Sequence, residues 1–231
     1  MKNASVCAKK LSALLKKVGP ATPPAFPSPG DPIAVLVMSM LMWESTTEKA
    51  QAAYARLMEH LVDFNDLRVC MPHETLELIG PRYPRALDRC QRLRAVLRNI
   101  YLREHAVSLE RLSGSGKRDA KKYIESLEGI VPYAASRVLL LSFETHAIPV
   151  DDQLRIQLIE AEASDSSMEI PDLSTWLASQ IKAEDGAAAH LSLQSWIDDI
   201  ADGRKPAPKR TATRKSTHKR EPRAGAKATA G

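Results

Sequence analysis

The chain has 231 residues, 44% of them apolar and 26% charged, with 5% aromatic residues, 10 glycines and a net charge of +5. This is ordinary globular composition, and the scarcity of aromatics and glycines favours an all-helical protein over a sheet-rich one. Three scattered cysteines, Cys7, Cys70 and Cys90, exclude a disulfide framework and cannot supply the four thiolates of an iron–sulfur cluster or an all-cysteine zinc site.

Residues 2–18 read as a short basic amphipathic helix, with Leu11, Leu14 and Leu15 at helical spacing. Five prolines between Gly19 and Gly30 mark a linker, so residues 1–30 are expected to precede the main domain. Asp31-Pro32 gives a helix cap followed by proline at the first helical position. Behind it, the run 33–43 predicts a buried helix, too short for the ~20 apolar residues of a membrane span. Thr46 or Thr47 caps the next helix, which continues to about His60. Further helices are predicted over 73–79, ended by Gly80-Pro81, then over 85–104 and 119–127. Pro132 opens a strongly apolar helix through Leu141. Another starts at Val150-Asp151, and two more cover 173–181 and 187–200. No segment alternates with period two, so the fold class is all-α with nine or ten helices.

Charge divides the chain again. From Arg204 onward, ten Lys and Arg side chains, Lys209 and Arg210 among them, accompany one acid, Glu221. The tail 204–231 therefore carries +9 and residues 1–203 carry −4. With prolines and little to bury, the tail is expected to be disordered and to seek a polyanion, most often nucleic acid. The alternative is a solubility tail without a specific partner.

Two motifs are decoys. Residues 113–117, SGSGK, imitate a phosphate loop, but the first required glycine falls on Arg111 and no strand precedes it. The six histidines show no zinc-binding spacing. The informative stretch is 127–158. A short helix ends at Leu127, turns through Glu128-Gly129-Ile130-Val131 and restarts at Pro132. Such a turn exposes amides at the start of the second helix, where phosphate is favoured.

The segment Leu127-Glu128-Gly129-Ile130-Val131-Pro132-Tyr133-Ala134-Ala135, followed by Val150-Asp151, resembles the helix-hairpin-helix DNA glycosylases of the endonuclease III superfamily. Asp31-Pro32 through Ala50, and Leu78-Ile79-Gly80 with Arg85-Ala86, extend the resemblance to about residues 31–200. It implies a two-lobed helical domain over 31–203 that binds double-stranded DNA as a monomer, in the cytoplasm and associated with the nucleoid. Asp151 would be the catalytic carboxylate, with Asp152 its neighbour in register. Gly129, Val131 and Tyr133 would offer amides to a phosphate, with an alkali ion at the hairpin as in the family. Leu41, with Met40 and Met42, would fill the gap left by a flipped base, although the reading of these side chains as core residues outweighs that role. Trp43 and Glu44 would line the base pocket.

Three departures accompany the match. Val131 replaces the second hairpin glycine, and a left-handed valine would be strained, so the turn must differ. The cysteines of the family's cluster are absent, since none follows Cys90. Tyr133 stands where bifunctional members carry the Schiff-base lysine, which implies a monofunctional glycosylase without lyase chemistry. The competing expectation is a catalytically inactive DNA-binding protein in which Asp151 is only a helix cap. For the enzyme reading to hold, Asp151 must face a groove between the lobes, beside Tyr133; an Asp151 that is buried or turned away from that groove counts against it.

Overall fold

Eleven α-helices and no strands make up the residues that the computed structural model describes, 4–21 and 30–204. Local signals in the sequence set most of their starts. Asp31 accepts a hydrogen bond from the Ile33 amide at 2.8 Å and opens α2, Pro32–Met42. Thr46 caps α3, Thr47–His60. Proline in the first turn starts α2, and likewise α5 (Pro72–Ile79), α8 (Pro132–Ser142) and α10 (Ile170–Gln180). The remaining helices are α1 (Ala4–Val18), α4 (Phe64–Val69), α6 (Ala86–Glu104), α7 (Lys117–Glu125), α9 (Asp152–Glu160) and α11 (Gly186–Ala201).

Helix α4 has no counterpart in the sequence reading. It is six residues long and buries only Leu67, too little for a periodic pattern, and it forms because Asp63 accepts from the amides of Asn65 and Asp66.

The helices pack as two lobes with separate cores. In the first, α2 is buried along its whole length and is surrounded by α3, α6 and α8, with α4, α5 and α7 outside. Every side chain of α2 is apolar except Ser39, which folds back onto the Val35 carbonyl. The second core joins α9, α10 and α11 with Leu11 of α1. That corrects the expectation that set residues 1–30 apart: α1 packs on α11, and Leu11 is completely enclosed. The basic tail beyond Arg204, with Lys209 and Arg210, lies outside the described residues.

Polar side chains join the lobes. The Tyr133 hydroxyl on α8 donates to Gln194 on α11 at 3.0 Å. Gln194 donates to Asp198 at 3.1 Å, and Asp198 accepts the Thr47 amide at 3.1 Å. Arg137 on α8 reaches His190 on α11 at 3.2 Å and Ser39 on α2 at 3.0 Å. Burial holds His190 neutral, its pKa pushed down to about 3, with the Arg137 charge acting in the same direction.

Candidate active site

Helices α7 and α8 form the hairpin anticipated from the sequence. Gly129 turns the chain with φ +85°, and a Cβ there would lie 2.9 Å from the Arg92 carbonyl and 3.0 Å from Ala95 Cβ. Glycine is required twice, for the left-handed backbone and for the close approach of α6. Val131 escapes the strain feared for it because it is extended, at φ −100° and ψ 146°, and its side chain enters the first core. The turn thus differs from a two-glycine hairpin. No side chain caps α8, and the residues that carry its first amides, Tyr133 and Ala134, are themselves buried.

Asp151 caps α9 from the seam between the lobes. One carboxylate oxygen accepts the Leu154 amide at 2.9 Å, within its own helix. The other accepts the Glu44 amide at 2.9 Å, from the turn that follows α2. Asp152 points to solvent, which resolves the register between the two aspartates in favour of Asp151 as the inward group. Burial raises the Asp151 pKa above the ordinary carboxylate range, and the charges of Glu44 and Asp152 push the same way. The two amide hydrogen bonds oppose that shift. Asp151 is buried, only 5% exposed, so the open groove that the enzyme reading requires is closed in this conformation, and the burial counts against that reading.

Tyr133 lies close enough to Asp151 for the carboxylate charge to act on its phenol. Its ring is buried, however, and its hydroxyl is directed at Gln194. The ring therefore packs the hairpin against α11. Leu41 takes the core role that outweighed the gap-filling one. Its side chain is 1% exposed in the first core, and its carbonyl accepts from Tyr83 and Arg89, so it cannot reach into a duplex from this position. The buried run of α2 already contained that signal.

Glu44 does lie beside Asp151, with Trp43 next to it in the chain, and what sequence reasoning missed is the set of arginines that hold them. Glu44 adopts a left-handed backbone (φ 51°), as does Arg85 (φ 49°), and the two side chains form an ion pair. Arg85 and Arg92 both lie over the Trp43 ring, at 5.0 and 5.8 Å from its centroid. Beneath them Arg89, fully buried, donates to the carbonyls of Met40, Leu41, Trp43 and Pro84 and so closes the C-terminal end of α2. No sequence signal joins Glu44 to Arg85, which are separated by 41 positions. Among the described residues no group of His, Cys, Asp or Glu could hold a metal ion.

Neither a protein-family model nor a curated protein matches the chain. Solved structures do. An endonuclease III in a non-covalent DNA complex is similar at a TM-score of 0.62 and 16% identity, over 85% of this chain and 86% of that one. A thermostable thymine-DNA glycosylase is similar at 0.60 and 17%, over 89% and 91%. So is the 3-methyladenine DNA glycosylase MagIII of H. pylori, bound to 1,N6-ethenoadenine, at 0.60 and 13%, over 89% and 99%. At these identities the likeness is one of fold, and the fold is that of the helix-hairpin-helix DNA glycosylases.

Proposed function

We propose that this protein is a monofunctional DNA glycosylase of base-excision repair, which hydrolyses the N-glycosidic bond of a damaged or mismatched base flipped out of duplex DNA. The observation that carries the reading is the position of Asp151: an inward carboxylate at the seam between lobes, beside the uncapped start of the hairpin helix. A base inside a duplex is unreachable until it is extruded. In the proposed reaction the C1′–N bond breaks and its electron pair leaves with the base. Positive charge develops on the deoxyribose, and ionised Asp151 stabilises it. Water then bonds to C1′ and gives up a proton to Asp151, while the departing base is protonated from solvent; a free base and an abasic site result.

Tyr133 has no amine with which to form an imine, so no strand cleavage is assigned to it. It serves as a positioning residue that fixes α8 to α11. The alkali ion that the family resemblance implies at the hairpin would sit on carbonyl oxygens of the turn, and no step of the reaction is assigned to it. No iron–sulfur cluster is invoked either. The proposed partner is double-stranded DNA, bound by a monomer associated with the nucleoid.

A second reading, a DNA-binding protein without chemistry, is favoured by one observation: both Asp151 oxygens hold backbone amides at 5% exposure. Incubating end-labelled duplexes with wild-type protein and with Asp151→Asn distinguishes the two. The duplexes carry uracil, thymine opposite guanine, oxidised pyrimidines, alkylated purines or adenine opposite 8-oxoguanine. Alkali-dependent cleavage that disappears in the variant supports the glycosylase. Binding without excision across the panel supports the second reading.

A further inference from the structure

The surface between the hairpin and Asp151 carries two arginines that neither core requires. Arg85 precedes the first turn of α6 and Arg92 lies in its second turn, and both side chains reach the Trp43 ring. Their side chains are 49% and 39% exposed. Both guanidinium groups lie against Trp43, an arrangement that restrains them before any ligand arrives and leaves donor edges for a partner. At one end of this row Arg92 meets the hairpin, since its backbone is what Gly129 packs against. At the other end Arg85 pairs with Glu44, whose amide holds Asp151. A continuous cationic track therefore joins the two parts of the site.

The present partners of these arginines are replaceable. Arg92 pairs with Asp88 at 2.8 Å, an ion pair exposed on both sides that contributes little to stability, whereas Arg85 pairs with a Glu44 side chain that is only 16% exposed and so leaves it only for an acceptor of equal charge. A phosphodiester presents two non-bridging oxygens that share one negative charge, and a guanidinium can pair with them as it pairs with a carboxylate.

We propose that Arg85 and Arg92, held over Trp43, take backbone phosphates of the DNA strand running from the hairpin to Asp151, and that Arg85 leaves Glu44 to do so. The proposal rests on the reading of the protein as DNA-binding and extends it to named contacts. Exchange at Arg85 frees the Glu44 side chain at the moment of binding, and Glu44 belongs to the turn that closes over Asp151. Binding of the strand and access to the carboxylate are thereby linked through one residue.

The test is binding of the full-length protein to duplexes containing a tetrahydrofuran abasic-site analogue, followed by fluorescence anisotropy between about 50 and 200 mM KCl. Arg85→Ala and Arg92→Ala should each flatten the salt slope by about 0.9 and weaken binding alike for every sequence. Arg85→Lys should keep the slope, which separates lost charge from lost structure. Glu44→Gln, by removing the competitor, should tighten binding severalfold. Arg68→Ala is the control: Arg68 stacks on Tyr101 at 4.0 Å, and Tyr101 lies on the other side of α6 from Arg92. Wild-type slopes in Arg85→Ala and Arg92→Ala overturn the phosphate contacts while leaving the DNA-binding reading intact. Unchanged or weaker binding by Glu44→Gln overturns the exchange. Absence of salt-dependent binding by the wild type removes the DNA-binding reading itself, and this proposal with it.

Discussion

The backbone amide of Glu44 donates to Oδ2 of Asp151 at 2.9 Å, joining positions 107 residues apart across the seam between the lobes. The same residue acts on Asp151 in two opposing ways, since its amide lowers the pKa of the carboxyl and its side-chain charge raises it. Glu44→Gln keeps the amide and removes the charge. If ionised Asp151 carries out excision, the rate rises with pH as the group deprotonates, and a lower pKa moves that rise to lower pH. Single-turnover rates on saturating substrate should therefore show the acid limb of Glu44→Gln displaced downward. A limb that stays in place or moves upward removes Glu44 from the electrostatics of the site.

Gly129→Ala tests the hairpin. The added Cβ would meet the Arg92 carbonyl at 2.9 Å, in a backbone conformation with φ +85°. Left-handed strain and overpacking together should cost about 2–5 kcal/mol. Urea unfolding measures this directly, and DNA binding should weaken as α8 is displaced. A loss well under 1 kcal/mol would mean that α6 can yield, contrary to the packing seen here.

Tyr133→Phe deletes a hydroxyl that points away from the proposed chemistry. Gln194 keeps its bond to Asp198, so the expected cost is about 1–2 kcal/mol of stability. The excision rate should stay within about tenfold of wild type at a temperature where both are folded. A much larger loss of rate with unchanged melting would assign the phenol to the reaction.

His190 makes stability depend on pH. Its folded-state pKa is pushed down to about 3, against roughly 6.5 in an unfolded chain. Below pH 6.5 the unfolded state therefore binds a proton that the folded state refuses. Stability should fall with decreasing pH by up to about 1.4 kcal/mol per unit from this residue alone. His190→Gln keeps an acceptor for Arg137 and should flatten the decline between pH 6.5 and 4.5 relative to wild type. Parallel declines in the two proteins would show that His190 titrates normally.

Much of the architecture is already determined by the sequence, because its signals are local. Asp31-Pro32, Thr46 and the proline at 132 mark helix starts by chemistry confined to one turn, and the apolar run after Asp31 could only be a buried helix. Gly129 and Val150-Asp151 located the hairpin and the inward carboxylate in the same way. Tertiary structure alone decided the rest. How the end of α2 is closed depended on α6, whose Arg89 takes the carbonyls of Met40, Leu41 and Trp43. Whether Tyr133 was free depended on Gln194 of α11, 61 positions away. The Arg85–Glu44 pair and the stacking on Trp43 have no signature in sequence spacing, since they arise where a left-handed turn meets the start of another helix. Caps and turns are set by neighbours along the chain, whereas burial and charge pairing are set by neighbours in space, and those exist only once the helices have packed.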